Sequence, residues 1–569
     1  MARALRLRAR PESPSADSGC AQIPKGGRFA AAAVSIAVSL LAVSGAGGAA
    51  TQQTPKRGGT VTIPGVFAGN VEPGCLNPLR SCGLEDASSH LTQVLLGAYE
   101  VGPDRVHPRL VSRVDIRKSP PFALTYHIRP EARWSDGAPV TARDFVFTHR
   151  TVRRYTPDDT SHANVRSVRA LDAKTVRVVL RSRFAGWRGG LFFHVLPEHA
   201  LRGEDFGSVW TDRIDNPKTG QAIGSGPFLV ERWERGKQLV LRRNPHFWGP
   251  HPAYLDRLVI RFGFGDPLEA LREGVLDVYE ARLGLDPEVA RDFQRIPGVT
   301  YRFRLAGARW EHFEIRMGPG GHPALGTKFV GGKLVRRALA YGIDRAALVR
   351  GVFGQLVPRI QPVQSAVFLP SEPYYEKNWS GYRYRPDEAR RLLERAGCRR
   401  GSDGIYSCAG ERLSLRFVAN SGVVSRSRAL ELVQTQLRRI GVEVLPKFAP
   451  GSVLTGQIIP SGQWDVWIIS YFYLPEAPRD IAFRCQGEAN VSGYCQRLVT
   501  AELDQASRIL DPAQYAAALN RADVQMARDV PVIPLWNEPS IAAFRSTLRG
   551  FTPAEPLVAW NAENWWLER

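Results

Sequence analysis

Seven cysteines, eleven histidines and 55 carboxylates are the side chains through which this 569-residue chain might do chemistry. His194 and His199, like His246 and His251, lie five apart with a proline between them. That spacing misses the i, i+4 face a helical metal site uses, so they read as loop or surface histidines. Asp158 and Asp159 are neighbours and read as solvated; a carboxylate pair drawn from separate elements would leave no local trace. Gly224-Ser225-Gly226 lacks the flanking spacing of a nucleophile elbow. Gly331-Gly332-Lys333 fails as a phosphate loop, because Thr327 stands at the required first glycine and Leu334 at the magnesium-binding hydroxyl position. No catalytic residue, metal ligand or cofactor is therefore assigned.

The cysteines have a different use. Cys20 stands apart, and the other six fall as Cys75 with Cys82, Cys398 with Cys408 and Cys485 with Cys495, each pair close in sequence and far from the rest. Zinc would want a C-x2-C spacing or histidines beside them, and neither is present. Disulfides need an oxidising compartment. The N-terminus agrees: a basic segment through Arg28 precedes an uncharged apolar run from Phe29 to Val43, then small residues through Ala50. That run has signal-peptide length and falls short of the roughly 20 residues that span a bilayer. Residues 1–50 are thus expected to be a signal peptide, with the mature chain starting near Thr51; an uncleaved anchor is the alternative. Cys75 lies too far past the apolar run to carry a lipid, so the exported protein is expected in the periplasm or at the cell surface without one.

A formal charge of +21 invites a nucleic-acid reading, but 66 Arg against 10 Lys, scattered among the acids, reads as compositional bias and not as a basic arm. No nucleic-acid partner is expected. The aromatics are more telling: 13 Trp, 16 Tyr and 25 Phe beside 3 Met. Clusters such as Tyr471-Phe472-Tyr473, Trp310 with Phe313, and Trp536 fit either an apolar pocket wall or a core.

The positioning elements divide into two styles. The first half alternates as strands at Thr60–Ile63, Leu124–Arg129 and Thr175–Arg181, with a hairpin from Phe228–Trp233 and Gln238–Arg243 around Gly236. Further on, Pro386 opens a helix with Asp387 and Glu388 in its first turn, buries Ala389, Leu392, Leu393 and Ala396, and stops at Gly397. Leu413–Ala419, a helix carrying Leu430, Val433, Leu437 and Ile440, and Val442–Phe448 form a strand–helix–strand unit, whose strands should be parallel. Asp344 reads as the N-cap of a helix from Arg345 to Val352.

The segment Arg129 to Thr148, with Trp134-Ser135-Asp136-Gly137 and Ala142-Arg143-Asp144-Phe145, closely resembles the hallmark of the family 5 extracellular solute-binding proteins, the peptide/nickel-type receptors of ABC importers. Further matches follow in order: Leu76-Asn77-Pro78-Leu79, Gly224 to Phe228, Asn244 to Trp248, Tyr254 to Leu258, Val335 to Arg345, and Pro531 to Trp536. The resemblance spans the mature chain. It implies a two-lobed, periplasmic-binding-protein-like α/β fold of three domains, with mixed sheets and a parallel α/β second lobe. The domains would be 51–98 with 220–308 and 536–569, then 99–219, and 309–535 as the other lobe.

The implied function is capture of a peptide-like or other organic solute between the lobes by a monomeric receptor, followed by delivery to a membrane permease served by a separate ATPase. A sensor partner in place of a transporter, or an exported hydrolase, are the other readings. The resemblance places ligand contacts in Arg80, Ser81, Cys82 and Gly83 and in Tyr471, Phe472 and Tyr473; Trp310, Phe313 and Trp536 sit where the chain would cross between lobes. In peptide-binding members an Asp following the strand that corresponds to Trp464–Ile469 anchors the peptide's ammonium; here Leu474 occupies its position, and Glu476, two residues on, is the nearby acid. The ligand is therefore expected to be something other than a short peptide with a free N-terminus, unless Glu476 takes over the anchoring.

Overall fold

The computed structural model describes residues 54–65, 72–80, 88–157, 159–280, 287–304, 308–473, 475–476, 479, 482–487, 489–554 and 558–568. The N-terminal apolar segment, Ser81, Cys82, Gly83 and Leu474 lie outside them. Among the described residues no helix is long and apolar enough to cross a membrane.

Pro55–Arg569 forms one compact unit built around two large apolar cores. The first core gathers side chains from Val61 to Phe262 and from the C-terminal segment Phe544–Trp565. Two sheets supply it. In one, Thr60–Pro64 lies parallel to Arg257–Arg261, which continues antiparallel through Gln238–Arg243 to Phe228–Glu234. The last two strands are the expected hairpin, and Gly236 takes the left-handed turn conformation at φ 71°. The other sheet is antiparallel, ordered Val111–Arg117, Ala123–Ile128, Thr175–Leu180 and Val165–Ala170. The hallmark segment caps the helix Ala142–Tyr155 beside it. There the Asp144 carboxylate accepts from the Thr141 N–H at 2.6 Å and the Glu198 N–H at 2.8 Å.

The second core runs from Ala270 to Ala543 around a five-stranded sheet. Ser414–Asn420 pairs parallel with both Glu443–Ala449 and Val466–Phe472, with the helix Val424–Arg439 crossing between the first two, as the sequence predicts. Arg309–Ile315 then joins antiparallel to Val466–Phe472 and to Val532–Asn537, so the sheet is mixed, with Arg309–Ile315 running against the other four strands. The helix Pro386–Arg395 begins at Pro386 as expected, and Asp344 caps Arg345–Phe353 by accepting from the Ala347 N–H at 2.8 Å.

Between the cores lies a three-stranded sheet in which Ser540–Arg545 is flanked by Val278–Glu280 and Val299–Arg304. Successive strand residues point to opposite faces. Here Ile541 and Ala543 pack into the second core while Ala542 and Phe544 pack into the first.

Two of the three expected disulfides are described, Cys398–Cys408 and Cys485–Cys495. Cys75 is also disulfide-bonded. Its expected partner, Cys82, falls outside the described residues.

Candidate functional site

A cleft of about 910 Å3 opens where the two lobes face one another. One wall is the segment Ser182–Arg188, reaching from the strand Thr175–Leu180 into a short helical turn, Trp187–Gly190. The opposite wall comes from Phe368–Tyr374, Glu476 and Arg479, the loop around Cys485, and the two helices Arg497–Ala506 and Pro512–Asp529 with the turn between them. The Cys485–Cys495 bridge pins that loop. Apolar and aromatic side chains occupy both sides: Phe184 and Trp187 face Tyr374, Tyr515 and Leu519 across the opening. Tyr374 is 38% exposed, a large apolar surface left uncovered inside a concave wall.

The charges of the cleft are largely turned toward each other. Glu372 grips Arg479, whose Nη1 donates to Oε2 at 2.8 Å and to the Val367 carbonyl at the same distance. Burial alone would lower the Arg479 pKa, and the hydrogen bond and charge of Glu372 hold it above its ordinary value. Arg484 faces Asp504 at 3.2 Å. Arg188 lies over the Trp187 ring and donates to Glu476 at 3.1 and 3.2 Å, an ion pair that joins the two walls. Asp104 stands at the rim, 72% exposed. Glu476 holds the left-handed conformation at φ 58°.

Of the ligand contacts expected from sequence that fall among the described residues, Glu476 is the one that lines this cleft. Trp310, Phe313 and Trp536 have no exposed surface and pack in the second core. Trp310 and Phe313 are adjacent-parity residues of one strand and serve opposite faces of the sheet: Trp310 stacks on His312 at 4.2 Å, and Phe313 meets Phe417 edge-on. Trp536 packs against Phe353. Tyr471 donates its hydroxyl to the buried Glu314, and burial followed by that carboxylate's charge raises its pKa. Tyr473 donates to the Ala366 carbonyl and lies under the Arg479 guanidinium, one layer behind the cleft wall. Phe472 lies beneath Arg309, whose guanidinium carbon is 3.3 Å from the ring centroid. Arg80 donates to the Gly207 carbonyl at 2.7 Å and borders a separate cavity of about 740 Å3. Thr160 borders both cavities.

The cleft residues 182–188 and 504–519 escaped sequence reasoning, because they lie in turns and helix ends without a periodic signal. The one local sign is Gly186-Trp187-Arg188-Gly189-Gly190, an aromatic residue and a cation set among glycines. A Cβ on Gly186 would stand 3.5 Å from the Glu476 carbonyl oxygen, and one on Gly189 3.9 Å from it, so the Glu476 backbone lies in van der Waals reach of this turn.

Residues 106–490, more than half of the chain, match the family described as bacterial extracellular solute-binding proteins, family 5 middle. The chain belongs to that family. The oligopeptide-binding protein OppA of Mycobacterium tuberculosis is 26% identical to this solute-binding protein over 480 residues, which cover 82% of this chain and 78% of OppA. Among solved structures, the periplasmic EDTA-binding protein EppA superposes with a TM-score of 0.80 at 20% identity, covering 91% of this chain and 98% of its own. The oligopeptide-binding protein AppA from Bacillus subtilis, solved with a nonapeptide, gives 0.72 at 20% identity, covering 91% and 100%. The two-lobed α/β fold expected from the motifs is therefore the fold of this family.

Proposed function

We propose that this family 5 protein is the exported receptor of an ABC importer, a monomer that captures an organic, peptide-like solute and hands it to a membrane permease with a separate ATPase subunit. The observation that carries this reading is the cleft of about 910 Å3 whose walls come from different lobes. A solute touching both walls adds contacts only when the lobes approach, so its binding energy drives closure. The three-domain division expected from the sequence belongs to this proposal, with 309–535 as the lobe that closes on the rest.

The cleft charges narrow the solute class. Among its described residues, Glu372, Glu476 and Asp504 each face an arginine. Asp104 stands at the exposed rim, so inside the cleft an incoming ammonium would have to displace one of those guanidiniums, while an ammonium left unpaired there is costly. A blocked or uncharged peptide-like solute, laid against Phe184, Trp187 and Tyr374, meets no such opposition. Calorimetry with matched pools of free and N-acetylated dipeptides to pentapeptides tests this. The acetylated pool is expected to bind at least as tightly; tight binding of the free-amine pool alone, abolished by Glu476→Gln, would overturn the assignment.

A further inference from the structure

The turn between the helices Arg497–Ala506 and Pro512–Asp529 carries two neighbouring apolar residues that face different lobes. Ile509 packs on the second core, to which the turn belongs. Leu510 leaves its own lobe and packs on the first core. There it closes one side of a small recess lined by Ile116, Phe122, Leu124, Leu180, Phe184 and Trp187, with Arg117 and Arg183 at its border. A flank of Leu510 also lines the cleft, together with Phe184 and Trp187. Two polar contacts bracket this knob: the Ala185 N–H donates to the Ser507 carbonyl at 2.8 Å, and Arg188 pairs with Glu476.

We propose that Leu510 is the positioning residue that couples what the cleft holds to closure of the lobes. Its inner side is seated in the opposite lobe, which favours the closed arrangement before any solute arrives. Its outer flank is part of the wall that a solute covers, together with the Phe184 and Trp187 that form the recess. An apolar solute group laid on that wall shields the same side chains that grip Leu510 and so holds them in place. A strongly hydrated solute brings water to them and loosens the grip. The receptor would thus prefer solutes with an apolar side, by selecting for closure as well as by contact. Opening must withdraw Leu510 from the recess and break the Ala185–Ser507 hydrogen bond in the same motion.

This inference rests on the reading of a cleft that closes on a solute, but its test needs none. Small-angle scattering is measured on protein unfolded and refolded to strip any bound solute, for wild type, Leu510→Asp, Leu510→Ala and Leu510→Met. A compact chain of this length has a radius of gyration of about 24 Å, and Leu510→Asp should add roughly 1 Å as the lobes part. Leu510→Ala should move the same way by less, and Leu510→Met, which can refill the recess, should match wild type. Far-UV circular dichroism distinguishes opening from unfolding, and the mild Leu510→Ala change answers even if the aspartate variant does not fold. Unchanged radii in folded Leu510→Asp and Leu510→Ala, or a wild type already as extended as they are, would overturn the proposal. Failure of every peptide pool to bind would count against the solute assignment and leave these radii as informative as before.

Discussion

Acid should weaken this protein through one pair of histidines. His149, on the helix Ala142–Tyr155, and His162, on the short helix Thr160–Ala163, stack with ring centroids 5.3 Å apart and Nδ1 atoms 3.0 Å apart. One Nδ1 must donate and the other accept, an arrangement that two neutral rings satisfy and two imidazolium rings do not. Burial lowers both pKa values, to about 4 for His149 and about 3 for His162, and the nearby Arg153 pushes each the same way. Arg150 adds to the effect on His149. In the unfolded chain each titrates near 6.5, so on acidification from there the unfolded state takes up protons that the folded state refuses. Stability therefore falls as pH drops, until the folded pKa values are reached. Integrating from pH 6.5 to 4.5 gives a loss of about 2 kcal/mol for the buried His162 and, with solvent screening, about 1 kcal/mol for the half-buried His149. Asp159, which accepts from the His162 N–H at 2.7 Å, has its own pKa raised by burial and works weakly in the opposite sense. The assay is urea unfolding at half-unit pH steps, comparing wild type with His149→Leu/His162→Phe. The double variant should lose about 3 kcal/mol less over that window. Parallel pH profiles for the two proteins would refute the reasoning.

The buried Arg426–Glu311 pair, with N–O distance 2.7 Å and side chains 4% and 2% exposed, should behave asymmetrically. Glu311→Leu alone should cost about 3 to 5 kcal/mol by stranding the guanidinium, whereas Glu311→Leu/Arg426→Met should recover most of it; equal losses in chemical denaturation would count against this. Replacing Cys398 and Cys408 together by serine should cost about 2 to 4 kcal/mol, read as a lower urea midpoint than wild type under non-reducing conditions.

Where local chemistry and burial agree, the chain announces its structure. The unit Ser414–Ala449 was legible because its first strand begins with a buried alternation, the helix after it carries a regular apolar stripe, and Gly441 marks the turn into the second strand. The hairpin at Gly236 and the helix opening at Pro386 were legible for similar reasons, since each needs a particular residue at a particular place. The antiparallel docking of Arg309–Ile315 onto Val466–Phe472 was not, because pairing partners as far apart in the chain as Trp310 and Tyr471 leave no local mark. The aromatic clusters show a different limit. Trp310 and Trp536 have the composition of a pocket wall and the same composition as a core, and only the packing of the sheet decides which side they face. The cleft itself is made by juxtaposing turns from both lobes, so Phe184, Tyr374 and Leu510 become neighbours without sharing any sequence pattern.

The strand Ser540–Arg545 has a consequence for how this molecule tolerates change. Ala542 and Ala543 are adjacent in the chain, are at most 1% exposed, and stand back to back, each filling space in a different lobe. Enlarging either one would press on one core and leave the other untouched, tilting the strand as a shim tilts a door on its frame. A shift of pairing by one residue would be worse, since every side chain would change allegiance and both interiors would be misfilled together. The integrity of two separate interiors thus hangs on the parity of six residues.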